Sequence, residues 1–378
     1  MTSTTDESAT EVRPDRGTVL FTGFPGFLGR RLVRRFHARR PGLSWVFLVE
    51  ERLRERAEAD LAAIGEELPS FAGRWETSPG DVTDPRLGWS GDRWAELAGR
   101  VTEVWHLAAV YDLAVPEQIA RRVNVDGTRH VLDFCAGCAL LRRLCYVSTC
   151  YVSGDHVGRW TEDDLEMGQG FKNHYEATKH AAEVEVRERW DEIPTVIFRP
   201  AVVVGDSRTG ETDKYDGPYY FIRLMMRMPR LLPMTGIGRG EVRFNMVPVD
   251  FVVEAMAEIA SRDGVEGKAF QLADPGALRV RDLLALISRT LGKPEPPFPL
   301  PPALLEGALA LGPVRRAMGI PRETVRYANH DVRYDVQNTL DALEGTGVEC
   351  PPAEGYLPVL VDYIRRHPHK EFLVGREV

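Results

Sequence analysis

The chain has 378 residues, 43% of them hydrophobic and 28% charged, with a formal net charge of −8 at pH 7. This composition is typical of a soluble globular protein, and the negative charge argues against a nucleic-acid or anionic-membrane partner. No run of about 18 apolar residues could span a bilayer, and the polar start, residues 1–17, has no signal-peptide core. We therefore expect a cytoplasmic protein without a transmembrane segment, long enough for a large core in two unequal lobes.

The first two-thirds of the chain alternates strand-like and helix-like segments. The predicted strands, in chain order, are 18–23, 44–50, 74–82, 102–109, 143–154, 194–205 and 268–274. The predicted helices between them are 27–39, 52–68, 119–138 and 173–190. Strands that are apolar along their whole length and alternate with helices indicate a parallel sheet covered on both faces.

The pattern changes after Gly205, where a polar loop precedes a Met- and Leu-rich segment at 221–234. Residues 245–260 look like a return to the main sheet followed by a helix, and from Gly276 the chain is helical and broken by prolines. The apolar segments 221–234 and 297–312 either line a substrate pocket or pack the lobe onto the core. We predict two domains, whose boundaries are 17–205 plus 244–275 and 206–243 plus 276–378.

The five cysteines predict neither disulfides nor a metal site. Their odd number argues against a disulfide framework. Cys135 and Cys138 form a C-x-x-C pair, but no second pair or neighbouring histidines complete a zinc site. Cys150 has no base or positive charge near it in the sequence, so we interpret it as a small buried filler.

A glycine-rich stretch follows the first predicted strand, with Gly23, Gly26 and Gly29 spaced G-x-x-G-x-x-G before a helix. Glycines here allow a sharp turn and a close approach of the backbone to a ligand, while the helix N-terminus offers N–H groups and a partial positive charge. Alone, the spacing fits an ordinary tight turn as well. Its place between a strand and a helix predicts a cradle for a dinucleotide pyrophosphate.

Two further motifs point to redox chemistry on an oxygen atom. Tyr175 and Lys179 lie four residues apart on a predicted helix and so share one face, where the ammonium would lower the pKa of the phenol. Such a tyrosine can exchange a proton with a carbonyl or alcohol oxygen. The hydroxyls of Ser148 and Thr149 end a buried strand, at the edge where ligands bind parallel sheets. Together with the glycine loop, these motifs predict a nicotinamide site.

The combination resembles the extended short-chain dehydrogenases/reductases, the epimerase/dehydratase-like group, over residues 17–275. The resemblance implies an α/β fold, a Rossmann-like doubly wound parallel sheet with a smaller, mostly helical C-terminal substrate lobe. The first predicted domain would then bind NAD(P) and the second the substrate.

The resemblance also implies roles for single residues. Tyr175 would be the acid/base, Lys179 would contact the nicotinamide ribose and the tyrosine, and Thr149, counted back from Gly154, would polarise the carbonyl. The implied cofactor-binding residues are Gly23, Phe24, Pro25, Gly26, Phe27, Leu28, Gly29, Glu50, Arg52, Asp81, Val82, Leu107, Ala108, Ala109, Asn124, Tyr175, Lys179, Pro200, Val202 and Val203.

Three segments, "STCYVSG", "GFKNHYEATKHAAE" and "NMVPVDFVVEAM", are most similar to the male-sterility, thioester-reductase and fatty acyl reductase branch. This branch implies a reductase acting on an acyl thioester, aldehyde or ketone with a mostly apolar group. Whether coenzyme A or an acyl carrier protein presents the substrate is left open. A homodimer is a further expectation from the family.

The cofactor is left open between NADP(H) and NAD(H). Many reductases of this branch carry an arginine after the second strand, where this chain has Glu50 followed by Arg52. A carboxylate there favours the ribose hydroxyls of NAD, whereas Arg52 could pair with the phosphate of NADP.

Two alternative functions share the same motifs. A nucleotide-sugar epimerase uses the same fold, and the neighbours of Thr149, Cys150 and Tyr151, argue against dehydration but not against epimerisation. A non-catalytic NAD(P)-binding redox sensor is the other alternative, although such relatives usually lose the tyrosine or the lysine.

Overall fold

A computed structural model describes residues 16–111, 115–229, 236–237, 240–295, 299–300 and 331–368 of the chain. The strands are β1 (Gly17–Thr22), β2 (Leu43–Val49), β3 (Trp75–Pro79), β4 (Val101–His106), β5 (Arg143–Val147), β6 (Gly158–Trp160), β7 (Thr195–Pro200), β8 (Val202–Val204), β9 (Gly236–Ile237), β10 (Met246–Pro248), β11 (Lys268–Leu272), β12 (Pro299–Leu300) and β13 (Val332–Tyr334). The α-helices are α1 (Phe27–Arg39), α2 (Arg54–Glu67), α3 (Gly91–Ala98), α4 (Glu117–Ala120), α5 (Gly127–Gly137), α6 (His174–Glu188), α7 (Pro218–Arg227), α8 (Val249–Ala260), α9 (Val280–Leu291), α10 (Gln337–Leu343) and α11 (Ala353–Arg366).

Seven strands form one parallel sheet in the order β11-β7-β5-β4-β1-β2-β3. The strand order reverses between β1 and β4, which is the point where a doubly wound sheet opens a crevice for a ligand. The predicted Rossmann-like fold is confirmed.

The sheet is buried on both faces because its strands are apolar along most of their length. One face packs against α1 and α8 through residues such as Phe36 and Val252, and the other packs against α5 and α6 through Leu132 and Val186. A stacked pair of rings, Trp105 and Phe198, lies in the core with centroids 5.8 Å apart. Burial of this kind supplies most of the free energy that holds such a layered fold together.

Two predicted strands differ from the structure. The segment 194–205 divides after Pro200, because the N–H of Ala201 still bonds Leu272 of β11 whereas the N–H of Val202 bonds Asn245. β8 therefore pairs with β10 in a separate two-stranded sheet, so the predicted return of the strand in 245–260 to the main sheet is wrong, whereas the helix that follows it, α8, does pack on that sheet.

The predicted strand 143–154 is also too long, since β5 ends at Val147 and a short 3₁₀ turn follows at Cys150–Ser153. The Thr149 hydroxyl accepts a hydrogen bond from the N–H of Tyr151 at 3.2 Å and so begins that turn. Gly154, with φ of +55°, ends it, and a residue with a side chain would be strained there.

Three further helices form a second apolar cluster beside the sheet. α7, α9 and α11 meet through side chains such as Ile222, Leu284 and Leu357, and β8 and β10 contribute to the same cluster. The predicted domain boundaries stay a prediction. The tail 1–17 and the apolar segments 221–234 and 297–312 lie partly or almost entirely outside the described residues.

Candidate active site

The predicted site residues follow the carboxyl ends of the parallel strands. The glycine loop follows β1, Glu50 follows β2, Asp81 and Val82 follow β3, and residues 107–109 follow β4. Carboxyl ends of parallel strands meet at one edge, so the fold collects these residues around the switch point.

The glycine loop makes a tight turn in which backbone atoms occupy the space that a side chain on Gly23 or Gly26 would need. Gly23 has φ of +85°, and a Cβ placed there would lie 2.8 Å from the N atom of Ala108. A Cβ on Gly26 would lie 2.8 Å from the carbonyl oxygen of Gly23. α1 begins directly after Gly26, so the N–H groups of its first turn have no partner within the helix. This narrow turn fits a pyrophosphate, because the start of α1 offers backbone N–H groups and a partial positive charge.

The end of β2 carries both signs of charge. Arg52 donates two hydrogen bonds to the Glu50 carboxylate, at 2.7 and 3.4 Å, and both side chains are about half exposed. A ribose diol could bind the carboxylate, and a 2′-phosphate could bind the guanidinium. The residues present fit either nicotinamide cofactor.

Asn124 joins three elements around the site. Its side-chain oxygen accepts the N–H of Val110 at 2.9 Å, and its amide donates to the Thr178 hydroxyl at 3.0 Å. It lies in a π-helical segment, Arg121–Asp126, between α4 and α5. Such widened turns are frequent at functional sites, and this one fixes the loop after β4 against α6.

α6 places Tyr175 and Lys179 one turn apart at its N-terminus. The Asn173 side chain accepts the N–H of Glu176 at 2.9 Å, and the Glu176 carboxylate accepts the N–H of Lys172 at 2.9 Å. These reciprocal bonds fix where the helix begins and hence where both side chains point.

Tyr175 and Thr149 are both buried. Burial raises the pKa of Tyr175 above its ordinary value, and an interaction with the Thr149 side chain only partly opposes this. The sequence argument predicted a lowered pKa because of Lys179. The difference arises because burial dominates and the ammonium is directed elsewhere.

Lys179 donates to the Tyr146 hydroxyl and to the carbonyl oxygen of Val147, at 2.9 Å each. Burial lowers the pKa of Lys179 to about 7, and the negative charge of Glu183 partly opposes this shift. The ammonium thus contacts the last residue of β5, two residues before Thr149.

Ser148 has a different environment from Thr149. Its hydroxyl donates to the Glu183 carboxylate at 2.5 Å, and the same carboxylate forms a fully buried ion pair with Arg199 at 2.6 Å. Although burial opposes ionisation, Arg199 holds the pKa of Glu183 below its ordinary value. Ser148 therefore belongs to a buried polar cluster, and Thr149 is the hydroxyl that reaches Tyr175.

Cys150 follows Thr149 and is also buried. Its thiol donates to the carbonyl of Arg199 at 3.0 Å, and burial raises its pKa well above the ordinary value. A neutral thiol fixed in this way fills space and does not act as a nucleophile. Within the described part of the chain, no cluster of three or more histidine, cysteine or acidic side chains could hold a metal.

Sequence reasoning missed three residues near Tyr175. The ring of Tyr111 packs edge-on against Tyr175 with centroids 5.0 Å apart, and the Lys214 ammonium lies 4.1 Å from the Tyr111 centroid. Tyr146 was also missed, although it lies two residues before Ser148 on the same strand, and alternate strand residues face one side. Tyr111 and Lys214 are far apart in sequence, and no local pattern indicates their contact.

The loop that carries Lys214 also contacts α1, the helix that follows the glycine loop. Glu211 forms an ion pair with Arg31 of α1 at 3.1 Å, and Asp213 forms a close pair with Arg30. Residues 206–217, which we term the bridging loop, thus connect the start of α1 to Tyr111 beside Tyr175.

Comparison with known proteins shows the family of the chain. The profile of the male sterility protein family, an NAD-binding family, matches residues 21–256. The chain belongs to this family. It is therefore a member of the extended short-chain dehydrogenases/reductases, and the resemblance to the male-sterility and acyl reductase branch is confirmed.

Two curated relatives are reductases. Glycine betaine reductase ATRR of Emericella nidulans is 30% identical over 75% of this chain and 23% of its own length. Fatty acyl-CoA reductase wat of Drosophila melanogaster is 26% identical over 64% of this chain and 53% of its own length. The chain spans less than two thirds of either relative.

Two solved structures show the fold. The terminal R domain from the myxalamid PKS-NRPS biosynthetic pathway has a TM-score of 0.79 at 24% identity, covering 97% of this chain and 94% of that chain. UDP-glucuronic acid 4-epimerase from Bacillus cereus, in complex with NAD, has a TM-score of 0.63 at 17% identity, covering 94% of this chain and 98% of that chain. The fold is thus common to reductases and epimerases.

Proposed function

We propose that the chain is an NAD(P)-dependent reductase that transfers hydride between the nicotinamide and a carbonyl or alcohol on a mostly apolar, acyl-type substrate. The observation that carries this proposal is that the buried Thr149 side chain interacts with the buried Tyr175, with Lys179 one helical turn further on. Membership of a family whose curated relatives include two reductases supports the same reaction class.

Each residue has a separate task in the proposed reaction. The glycine loop, Glu50, Arg52 and the residues after β3 and β4 hold the cofactor, which supplies the hydride when bound. The Thr149 hydroxyl donates to the substrate oxygen and holds it beside Tyr175. Tyr175 gives its phenolic proton to that oxygen as the carbonyl carbon is reduced, so a carbonyl plus hydride and proton becomes an alcohol. In the opposite direction, the phenolate accepts the proton.

The raised pKa of Tyr175 favours the reductive direction. A phenol that keeps its proton near neutral pH is ready to donate it, whereas oxidation of an alcohol needs the phenolate. Lys179 stabilises the phenolate that remains after the proton has left, because its positive charge is buried nearby.

The surroundings of Tyr175 support an apolar substrate group. The Tyr111 ring packs edge-on against the Tyr175 ring with centroids 5.0 Å apart, so an aromatic side chain borders the reacting residue. One relative is named a fatty acyl-CoA reductase, which supports an acyl thioester as the substrate class.

Tyr175→Phe tests the proposed role directly. The purified chain is incubated with NADH or NADPH and a panel of acyl-CoA thioesters and aldehydes of increasing chain length, and cofactor oxidation is followed by absorbance. We expect the variant to lose at least about 100-fold in kcat, because the proton donor is gone, while the Kd for the cofactor changes less than about threefold.

Tyr356→Phe is the matched control, since it removes another buried hydroxyl, one that donates to the carbonyl of Met246 in the second apolar cluster at 3.1 Å. Undiminished turnover in Tyr175→Phe would refute the assignment of the acid/base. Tight cofactor binding without oxidation by any carbonyl would favour a redox sensor.

A nucleotide-sugar epimerase is the second candidate, because an epimerase is among the chains that share this fold. Such an enzyme returns the hydride to the same sugar and shows no net cofactor oxidation. Binding and interconversion of UDP-sugars, measured by calorimetry and chromatography, distinguish the two functions.

A further inference from the structure

The Lys179 side chain on α6 is hydrogen-bonded to a tyrosine on β5, Tyr146. Its ammonium has three N–H donors, and two of them are used on the Tyr146 hydroxyl oxygen and the carbonyl oxygen of Val147. One donor is left for the side on which Tyr175 and the cofactor would lie. Tyr146 is fully buried, so water does not replace it as the acceptor.

A chain of hydrogen bonds among buried side chains near Tyr146 fixes which group donates and which accepts at each contact. The Thr128 hydroxyl donates to the carbonyl oxygen of Asn124 at 2.6 Å, so it accepts from Nε2 of the neutral His106 at 3.1 Å. Nδ1 of His106 then carries no proton and accepts from the Thr22 hydroxyl at 2.8 Å. The same Thr22 oxygen accepts the N–H of Ala108 at 3.2 Å.

Tyr146 lies beside this chain, because the Thr128 side chain interacts with its phenol. The Thr128 proton is already given to Asn124, so Thr128 can only accept from Tyr146, and the Tyr146 oxygen accepts the N–H of Lys179.

We infer that Tyr146 is a positioning residue, whose hydroxyl oxygen fixes the Lys179 ammonium so that its remaining N–H serves the cofactor and Tyr175. The inference rests on the proposed role of Lys179 in the reductase reaction. The polar chain from Tyr146 to Thr22 keeps that oxygen an acceptor.

The other ionisable groups around Lys179 do not replace this contact. His106 on β4 stays neutral, since burial and the charge of Lys179 lower its pKa to about 3. Tyr175 on α6 and Tyr146 on β5 have raised pKa values because of burial and are neutral too. Glu183 on α6 is negative, but its carboxylate is bound by Arg199 and Ser148.

Tyr146→Phe in the full chain removes only the acceptor oxygen. The chain has six lysines, so ¹³C labels at Cε give six NMR signals, and Lys179→Arg identifies the signal of Lys179. We expect the titration midpoint of Lys179 to fall by about one pH unit in Tyr146→Phe, because a hydrogen bond to a charged group is lost. Tyr356→Phe, the control used above, leaves the midpoint unchanged.

Kinetics supply the second measurement. We expect kcat of Tyr146→Phe to fall about tenfold and the alkaline limb of its pH profile to move down by the same unit as the NMR midpoint, while KM for the carbonyl changes less than twofold. An unchanged Lys179 midpoint in the folded variant overturns the inference. A shifted midpoint without turnover on any carbonyl in the wild-type chain refutes the proposed function instead.

Thr128→Val is the second variant if Tyr146→Phe does not fold. It removes the acceptor of the Tyr146 proton, so the hydroxyl becomes a poorer acceptor for Lys179. We expect the Lys179 midpoint to move in the same direction by about half as much, and Thr128→Ser to restore it. Equal midpoints in Thr128→Val and Thr128→Ser contradict the inference.

Discussion

Glu50 and Arg52 pair across the end of β2, and each suits a different cofactor. Removal of the carboxylate in Glu50→Gln frees Arg52 for a phosphate and takes away its repulsion. We expect the ratio of Kd values for NADPH and NADH to fall at least about fivefold in this variant, which is about 1 kcal/mol. Arg52→Ala should move the ratio in the opposite direction. Fluorescence titration of both reduced cofactors measures the ratio without a substrate.

Arg54→Ala is the matched control for this pair. Arg54 forms an ion pair with Glu51 at 3.0 Å, is similarly exposed, and lies on the first turn of α2 beside the same strand end. If Arg52→Ala and Arg54→Ala shift the ratio equally, general surface charge rather than the Arg52 guanidinium determines the preference.

At the scale of single residues, the sequence predicted which residues lie in the site better than it predicted their hydrogen-bond partners. Thr149 and Tyr175 were predicted to lie together, and their side chains are close enough to interact in the structure, although their roles stay predictions. The partner of Lys179 could not be predicted, because Tyr146 is 33 residues away in the chain and its contact depends on how α6 packs on β5.

The turn between β1 and α1 depends on the absence of a side chain at Gly23. A methyl group there would meet the backbone of Leu107 and Ala108 at 2.8 Å, and the positive φ adds strain. We expect Gly23→Ala to raise the cofactor Kd more than about tenfold and to lower the free energy of unfolding by about 1–3 kcal/mol. Thermal unfolding and cofactor titration measure the two effects.

Gly73→Ala separates strain from crowding, since Gly73 also has a positive φ, +73°, but nothing lies within 4 Å of its Cβ position. This control should lose stability and keep its cofactor affinity. Equal losses of affinity in the two variants would mean that the turn does not approach the cofactor.

Element boundaries show what periodicity can and cannot predict. α1 was predicted at 27–39 and is found at Phe27–Arg39, because glycines bound one end and an apolar face defines the rest. The break after Pro200 was missed, because "FRPAVVVG" is apolar throughout and only the partners of Ala201 and Val202 reveal the change of sheet.

Across the whole molecule, Glu162 connects parts of the chain that are distant in sequence. Its buried carboxylate accepts the N–H of Gln271 on β11 at 2.8 Å and the hydroxyl of Thr339 on α10 at 2.9 Å. Burial raises the pKa of Glu162 to about 7, more than these hydrogen bonds lower it. The folded state therefore binds a proton that the unfolded state has released.

The sign of the resulting pH dependence follows from the raised pKa. Between about pH 4.5, the ordinary value, and about pH 7 the folded chain holds more protons, so the Glu162 contribution to stability falls as pH rises through this window. We expect the free energy of unfolding of the wild type, relative to Glu162→Gln, to drop by about 1–3 kcal/mol from pH 4.5 to pH 8. Urea unfolding at several pH values measures it, and a constant difference contradicts the raised pKa.

The overall topology was predictable, because seven parallel strands and their helices follow from alternation of apolar runs and turns. The second apolar cluster was less predictable, since it combines helices from 218–227, 280–291 and 353–366 with strands from elsewhere in the chain. Such contacts join distant segments, and no local spacing encodes them. Cytoplasmic location, a homodimer and the domain boundaries stay predictions.

The bridging loop is bound to α1 by acidic side chains that are partly exposed, Glu211 and Asp213. Dissolved ions weaken such pairs, because the screening length shrinks from about 10 Å at 0.1 M to about 3 Å at 1 M. If the cofactor leaves past this loop, its dissociation rate should rise severalfold from 50 to 500 mM NaCl in stopped-flow measurements. Asp213→Asn should be fast at both concentrations, whereas Glu67→Gln, which removes an exposed pair with Arg34 one turn further along α1, should behave like the wild type.

Ionic strength would then determine the residence time of the oxidised cofactor on the protein. An enzyme whose exit path is closed by ion pairs releases its product slowly in dilute buffer and quickly in concentrated salt. This release rate does not depend on the rate of the chemical step.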